Sequence, residues 1–373
     1  MTFVIHAAGK MVRAAVCCAL CLALVPWAVF TQSLPRGDVD EEMVKSPALQ
    51  GNLLGDSATR HVSIYLPPSY GKGPSHYPVV YLLHGYLGSD QSWIAGDWAN
   101  VPKIADRLIA AGKMREMIIV MPDGSNKFLG SMYTDSPTTG NWEEFITQDL
   151  VHYVDRHFRT AARAESRGIA GHSMGGYGAL KLAMKHPDVF SAVYAMSACC
   201  MEWGPDLSPA NAAWDRVLGF ERMDQFAATQ AEFWHPKAES DRAGMFFSMA
   251  FMAMAAAWSP DPERPPFFVD LPVEKRDGGR AMLQAVMAEW SANMIVPASG
   301  QYRANLARLH GLSFDVGKQE QFPSILAGAR DFSQALKRNG IQHEFEEYEG
   351  THMSKIGERI ETKVLPFFSR VLE

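Results

Sequence analysis

The rhythm of apolar and polar residues changes several times along this chain, and each change marks an element. Residues 60–66 (RHVSIYL) alternate outward and inward positions and stop at Pro67-Pro68, which predicts an outer strand. Residues 78–83 (PVVYLL) and 117–121 (MIIVM) are apolar without a break, as strands covered on both faces should be. Four further short runs, 167–170, 192–196, 312–316 and 343–348, add strands. Between them the helical period takes over at about 99–111, 142–157, 177–186, 322–339 and 355–372. Strands alternating with helices predict an α/β fold, with a mostly parallel central sheet and helices on both faces.

One region departs from this rhythm. From about Ser197 to about Leu312 the chain runs far longer than a strand-to-helix connection needs. It holds five of the nine Trp and nine of the twenty Met. Its centre, 245–258 (MFFSMAFMAMAAAW), is apolar on every face and too short to span a membrane. A helical cap inserted at about 201–305, over the carboxyl end of the sheet, accounts for it. Phe246, Phe247, Phe251 and Trp258 are its large candidates for walling a substrate pocket.

Composition narrows the classes. With 47% hydrophobic and 20% charged residues among 373, the chain reads as a folded globular protein rather than a disordered one. Its net charge of −6 and its lack of a dense basic run exclude nucleic acid as a partner, since phosphate contacts need clustered Lys and Arg. Lys10 and Arg13 ahead of an apolar stretch over 14–30 read as an export signal covering 1–33, with a retained N-terminal anchor as the alternative. No stable membrane span is expected. The rest divides into an N-terminal extension, 34–56, and one domain, 57–373, carrying the cap. Export means secretion or delivery to a periplasm. Cys17, Cys18 and Cys21 would leave with the signal. Cys199 and Cys200 are adjacent, and a bridge between neighbours closes a strained ring, so they are expected as small buried residues ending a strand.

Three segments carry chemistry. Gly171-His172-Ser173-Met174-Gly175 fits G-x-S-x-G between an apolar strand and a helical pattern. On a sharp strand-to-helix turn a serine projects its Oγ above the sheet, and the glycines permit the crowding, so Ser173 is the expected nucleophile. Leu82-Leu83-His84-Gly85-Tyr86-Leu87-Gly88-Ser89 follows the second apolar strand, where a loop can present a backbone N–H to an oxyanion. Tyr86 and Met174 are the expected donors, with Leu87 competing with Tyr86. His352, in Glu349-Gly350-Thr351-His352 past the last strand, stands where a general base belongs. The acid should come between serine and histidine in chain order. Glu320 lies in the loop beyond a strand and is preferred; Asp315, within the strand, is the alternative acid.

At these residues the chain resembles the esterase D (putative esterase) family of α/β-hydrolases, which includes S-formylglutathione hydrolases, feruloyl and acetylxylan esterases, and mycolyltransferases. The likeness runs from about Ser57 to the C-terminus. It rests on HGYLGS, Met121-Pro122-Asp123-Gly124, Tyr133-Thr134-Asp135-Ser136, Gly140-Asn141-Trp142-Glu143, GHSMGGYGAL and EGTH. In that family the acid is an Asp at the position Glu320 holds here. Asp123 and Trp142 belong to the family pattern and are expected as a turn-former and a packing residue.

The expected function is a secreted serine carboxylesterase, cleaving small-molecule or polymer-attached esters through an acyl-enzyme. The alternatives are an acyltransferase or thioesterase with the same triad, or a ligand-binding module that keeps the fold without turnover. No metal motif and no phosphate-cradling loop is present, so neither metal nor cofactor is expected. The sequence does not specify an oligomeric state.

Overall fold

The computed structural model describes residues 35–96 and 98–373. The expected signal, 1–33, lies outside the described residues. Eight strands form one sheet: β1 (Asp38–Lys45), β2 (Thr59–Leu66), β3 (Val79–Leu83), β4 (Ile118–Pro122), β5 (Arg167–His172), β6 (Ala192–Met196), β7 (Gly311–Gly317) and β8 (Glu344–Tyr348). Their order across the sheet is β1-β2-β4-β3-β5-β6-β7-β8. The β1/β2 and β2/β4 pairs are antiparallel and every other pair is parallel.

The central strands are apolar throughout because both of their faces are covered. Along β3, Val79, Tyr81 and Leu83 enter one core while Val80 and Leu82 enter the other. Helix α1 (Val101–Ala110) belongs to the second core. It starts at Asn100, whose side chain accepts from the Lys103 N–H, and it buries Val101, Ile104, Ala105 and Leu108, one stripe at helical spacing. Helix α2 (Met174–Lys185) lies on the opposite face, in the first core.

The segment 34–56, expected ahead of the sheet domain, supplies the edge strand β1. Its sequence, DVDEEMVK, pairs residue by residue with β2 from Asp38↔Leu66 to Lys45↔Thr59. The acids sit at exposed or half-exposed positions, which suits a sheet edge that must not recruit another strand.

Between β6 and β7 the insertion is mostly helical, as its pattern predicts. It includes α3 (Met223–Trp234), α4 (Arg242–Trp258) and α5 (Gln284–Asn293). A two-stranded hairpin, Val273–Arg276 with Gly279–Met282, was not anticipated. Strand β7 returns the chain to the sheet, and helix α6 (Pro323–Arg338) links it to β8, opening with Pro323, whose missing N–H costs nothing in a first turn. Asn293 is one point where the insertion is tied to the body. The Tyr177 hydroxyl donates to the Asn293 carbonyl at 2.9 Å, and Lys181 Nζ lies 2.8 Å from both Asn293 Oδ1 and Thr134 Oγ1. No helix among the described residues is long and apolar enough to cross a membrane.

Candidate active site

Ser173 joins β5 to α2 with φ 56° and ψ −115°, a backbone that few side chains tolerate. Its neighbours explain how the turn closes. A Cβ on Gly171 would lie 2.3 Å from the Gly175 carbonyl, and one on Gly175 would lie 2.1 Å from the Leu83 carbonyl oxygen. Only glycine fits at either point. The Ser173 N–H donates to the Met196 carbonyl, and the Cys199 N–H returns a bond to the Ser173 carbonyl, so the end of β6 cradles the turn.

The three residues expected as nucleophile, base and acid come together. His352 Nε2 lies 2.9 Å from Ser173 Oγ, and His352 Nδ1 lies 2.9 Å from Glu320 Oε2. A carboxylate beside Nδ1 fixes the proton there, which leaves Nε2 free to accept from the serine hydroxyl. The Glu320 side chain is wholly buried and its other oxygen accepts from the Phe322 N–H. Asp315 goes elsewhere. Its carboxylate accepts from the Tyr194 hydroxyl at 2.7 Å and from Arg359 Nε at 2.8 Å, in a buried pair inside the fold.

The loop after β3 is tied down by His84. Its Nε2 accepts from the Gly124 N–H at 2.7 Å, so Nδ1 carries the proton and donates to the Gly85 carbonyl at 2.8 Å. Within this loop the Leu87 N–H is taken by the Leu129 carbonyl. Among the described residues the Tyr86 N–H meets no acceptor. Met174 opens α2, so its N–H has no partner within the helix, and the positive end of a twelve-residue helix faces Ser173. Tyr86 and Met174 thus present unused amides beside the serine.

Two cavities meet at Ser173. The inner one is walled by Met132, Met174, Phe246, Phe247, Phe251 and Met254 among others, with Cys199, Cys200, Glu202 and Asp206 also on its surface. The outer, larger one runs past His352 between Trp98 and Met353 on the body and Trp234 and Arg242 on the insertion. Of the four expected pocket residues, Phe246 and Phe247 border both cavities and Phe251 the inner one. Trp258 does not. It is buried between Tyr177 and Trp290, with ring centroids 5.7 and 5.2 Å away, because the last turn of α4 faces the body instead of the cavity.

Sequence reasoning missed the supports of His352. His172 donates from Nε2 to the His352 carbonyl at 2.8 Å, and Gln321 Oε1 accepts from the His352 N–H at 3.1 Å. Phe322 meets the imidazole edge to face at 5.0 Å. His172 had a signal, its place beside the nucleophile, whereas Gln321 and Phe322 act through the folded loop alone. Burial lowers the His172 pKa to about 3, with the nearby His352 adding to the effect, and keeps the ring neutral.

Comparison with known proteins agrees with this architecture. Curated esterases from two strains of Mycobacterium tuberculosis are each 29% identical over 293 residues, covering 78% of this chain and 52% of the relative. The chain therefore spans about half the length of these relatives. An endo-1,4-beta-xylanase/feruloyl esterase of Xylanibacter ruminicola is 32% identical over 161 residues, 42% of this chain and 21% of that protein. Among solved structures, a ferulic acid esterase superposes with a TM-score of 0.61 at 23% identity, covering 90% of this chain and 99% of that one. The S-formylglutathione hydrolase of Staphylococcus aureus gives 0.54 at 15% identity, with the same coverage. These likenesses establish an α/β-hydrolase fold. The model of the family described as Putative esterase matches residues 57–264, more than half of the chain, and the chain belongs to that family.

Proposed function

We propose that the protein is an exported hydrolase of carboxylic esters that works through an acyl-enzyme. The reading rests above all on the unbroken relay from Ser173 through His352 to the buried Glu320, opening onto two cavities. His352 takes the serine proton as Ser173 Oγ attacks the ester carbonyl. The oxyanion settles between the amides of Tyr86 and Met174, and losing one such donor typically costs about 10²–10³ in turnover. His352 then protonates the leaving alcohol, and water repeats the sequence to free the acid. Glu320 keeps the imidazole in its working tautomer and stabilises the imidazolium.

The inner cavity takes the acyl group and the outer one the alcohol. Met and Phe walls favour an aliphatic or aryl acyl group over a polar one. Export rests on the basic and then apolar start of the chain, Lys10, Arg13 and 14–30. One feature supports acyl transfer as a second reading. The outer cavity is larger and has Trp98, Trp234 and Met353 on its walls, room for an acceptor alcohol that competes with water.

The test is a pre-steady-state burst on a chromogenic ester, repeated with an added alcohol. A burst equal to the enzyme concentration, absent in Ser173→Ala, together with fluorophosphonate labelling of Ser173, is the expected result. Saturable binding of the ester without any burst would mean a binding module. Ester product formed in the presence of the alcohol would favour transfer.

A further inference from the structure

The geometry points to Cys199 and Cys200 as a dithiol that closes reversibly to a disulfide in the wall of the inner cavity. Their Sγ atoms lie 2.7 Å apart. A covalent S–S bond is about 2.05 Å, so the two sulfurs already sit within a small side-chain movement of bonding. Neighbouring cysteines usually point apart. Here Cys200 adopts a left-handed backbone, φ 60°, and Ser197 does so two residues before Cys199, φ 41°, and the chain turns the two thiols together.

The place of this pair matters. Both residues line the cavity that holds Ser173, beside Met174 and Phe251. The segment that carries them is bonded to the nucleophile on one side and to the insertion on the other. Cys199 N–H donates to the Ser173 carbonyl at 3.2 Å, while the Met201 carbonyl accepts from the Val296 N–H at 2.8 Å. A bridge would fix this segment and replace two separate thiols with one compact apolar wall.

The chemistry needs an oxidant, and a small disulfide of the type RS–SR suffices. Cys199 is the more exposed of the two, whereas burial and the adjacent Cys199 push the Cys200 thiol well up. The Cys199 thiol loses its proton and its sulfur attacks RS–SR, forming a mixed disulfide and expelling RS⁻, which is protonated. The Cys200 thiol then loses its proton and attacks Cys199 Sγ, expelling the second RS⁻. Two cysteine thiols are oxidised by two electrons and RS–SR is reduced to two RSH. Excess thiol reverses both steps.

The experiment uses the whole protein, treated with hydroxyethyl disulfide and then with iodoacetamide. The tryptic peptide 186–216 contains both cysteines and no other. It should appear two hydrogen masses light and unalkylated, and become doubly alkylated after a phosphine reductant. In parallel, the ratio of bulky-acyl to acetyl ester turnover should shift by about threefold or more on oxidation and return on reduction, the scale expected of a modest change in pocket shape. Cys200→Ser should give no light peptide and instead retain the mixed disulfide on Cys199, and Cys199→Ser should show neither response. Double alkylation after oxidation, a lasting mixed disulfide, or a bridge between two chains would overturn the proposal. A light peptide with an unchanged ratio would overturn the role in the pocket. The mass measurement does not pass through ester turnover, so it succeeds or fails separately from the esterase reading.

Discussion

His172 donates its Nε2–H to the backbone carbonyl of His352 across 2.8 Å, so the residue before Ser173 anchors the loop that carries His352. Burial, with His352 close by, holds this imidazole neutral and lowers its pKa to about 3. An unfolded histidine titrates near 6.5, so below that pH the unfolded chain binds a proton that the native one refuses. Stability is therefore lost as pH falls from about 6.5 toward about 3, by about 2 kcal/mol from this group at pH 5. His172→Gln keeps an N–H donor and cannot titrate. Urea unfolding at pH 7 and pH 5 should show a smaller loss in the variant. Equal losses would mean that His172 is not held neutral.

Glu320 and Asp315 separate cleanly by what each would break. Glu320→Gln should retain the fold and lose about 10³–10⁴ in kcat, since an amide favours the wrong imidazole tautomer. Asp315→Asn should leave turnover per folded molecule near normal. It strips the buried Arg359 of one of its two acidic partners, Glu346 remaining, and should cost about 1–3 kcal/mol of stability. Parallel kcat and melting measurements decide. A larger kcat loss in Asp315→Asn at matched folding would reverse the assignment.

Phe246 and Trp258 lie on one helix and should answer differently. Phe246→Ala enlarges both cavities and should change the ratio of bulky to acetyl ester turnover, by about 1–3 kcal/mol of discrimination. Trp258→Ala should leave that ratio alone and cost about 3–5 kcal/mol of stability, as deleting a buried ring does. Kinetics on two esters plus a denaturant melt test both statements. A Trp258 variant with altered selectivity would return that residue to the pocket.

Gly175→Ala tests the turn itself. The added methyl group would meet backbone of the next strand at Leu83 and His84, with no flexible side chain to yield. The variant should melt well below the wild type and react slowly with a fluorophosphonate. Wild-type labelling and melting would show that the turn tolerates what the structure forbids.

Much of this arrangement was legible because it depends on local pattern. Strands β3 to β7 announce themselves as apolar runs, Ser173 follows from the turn that must end β5, and His352 from its place past the last strand. What could not be read depends on partners distant in sequence. Residues 34–56 read as an N-terminal extension, and β1 within them is a strand because β2 offers it an edge. Trp258 was expected in the pocket because a helix apolar all round gives no phase, and packing against Tyr177 and Trp290 chose its face. Glu320 was chosen over Asp315 by its loop position, but nothing in the sequence revealed that Arg359 and Tyr194 would occupy Asp315.

The ties from Tyr177 and Lys181 to Asn293 bear on how the inner cavity meets substrates of different size. Tyr177 and Lys181 belong to the same helix as Met174, so the insertion is fastened to the helix that begins beside Ser173. A roof pinned to that helix is poorly placed to swing away as a hinged cover. Fit must come from within, by rotation of unbranched side chains such as Met132, Met174 and Met254. Tolerance for acyl shape should then be graded, narrowing gradually with chain length instead of ending at one threshold.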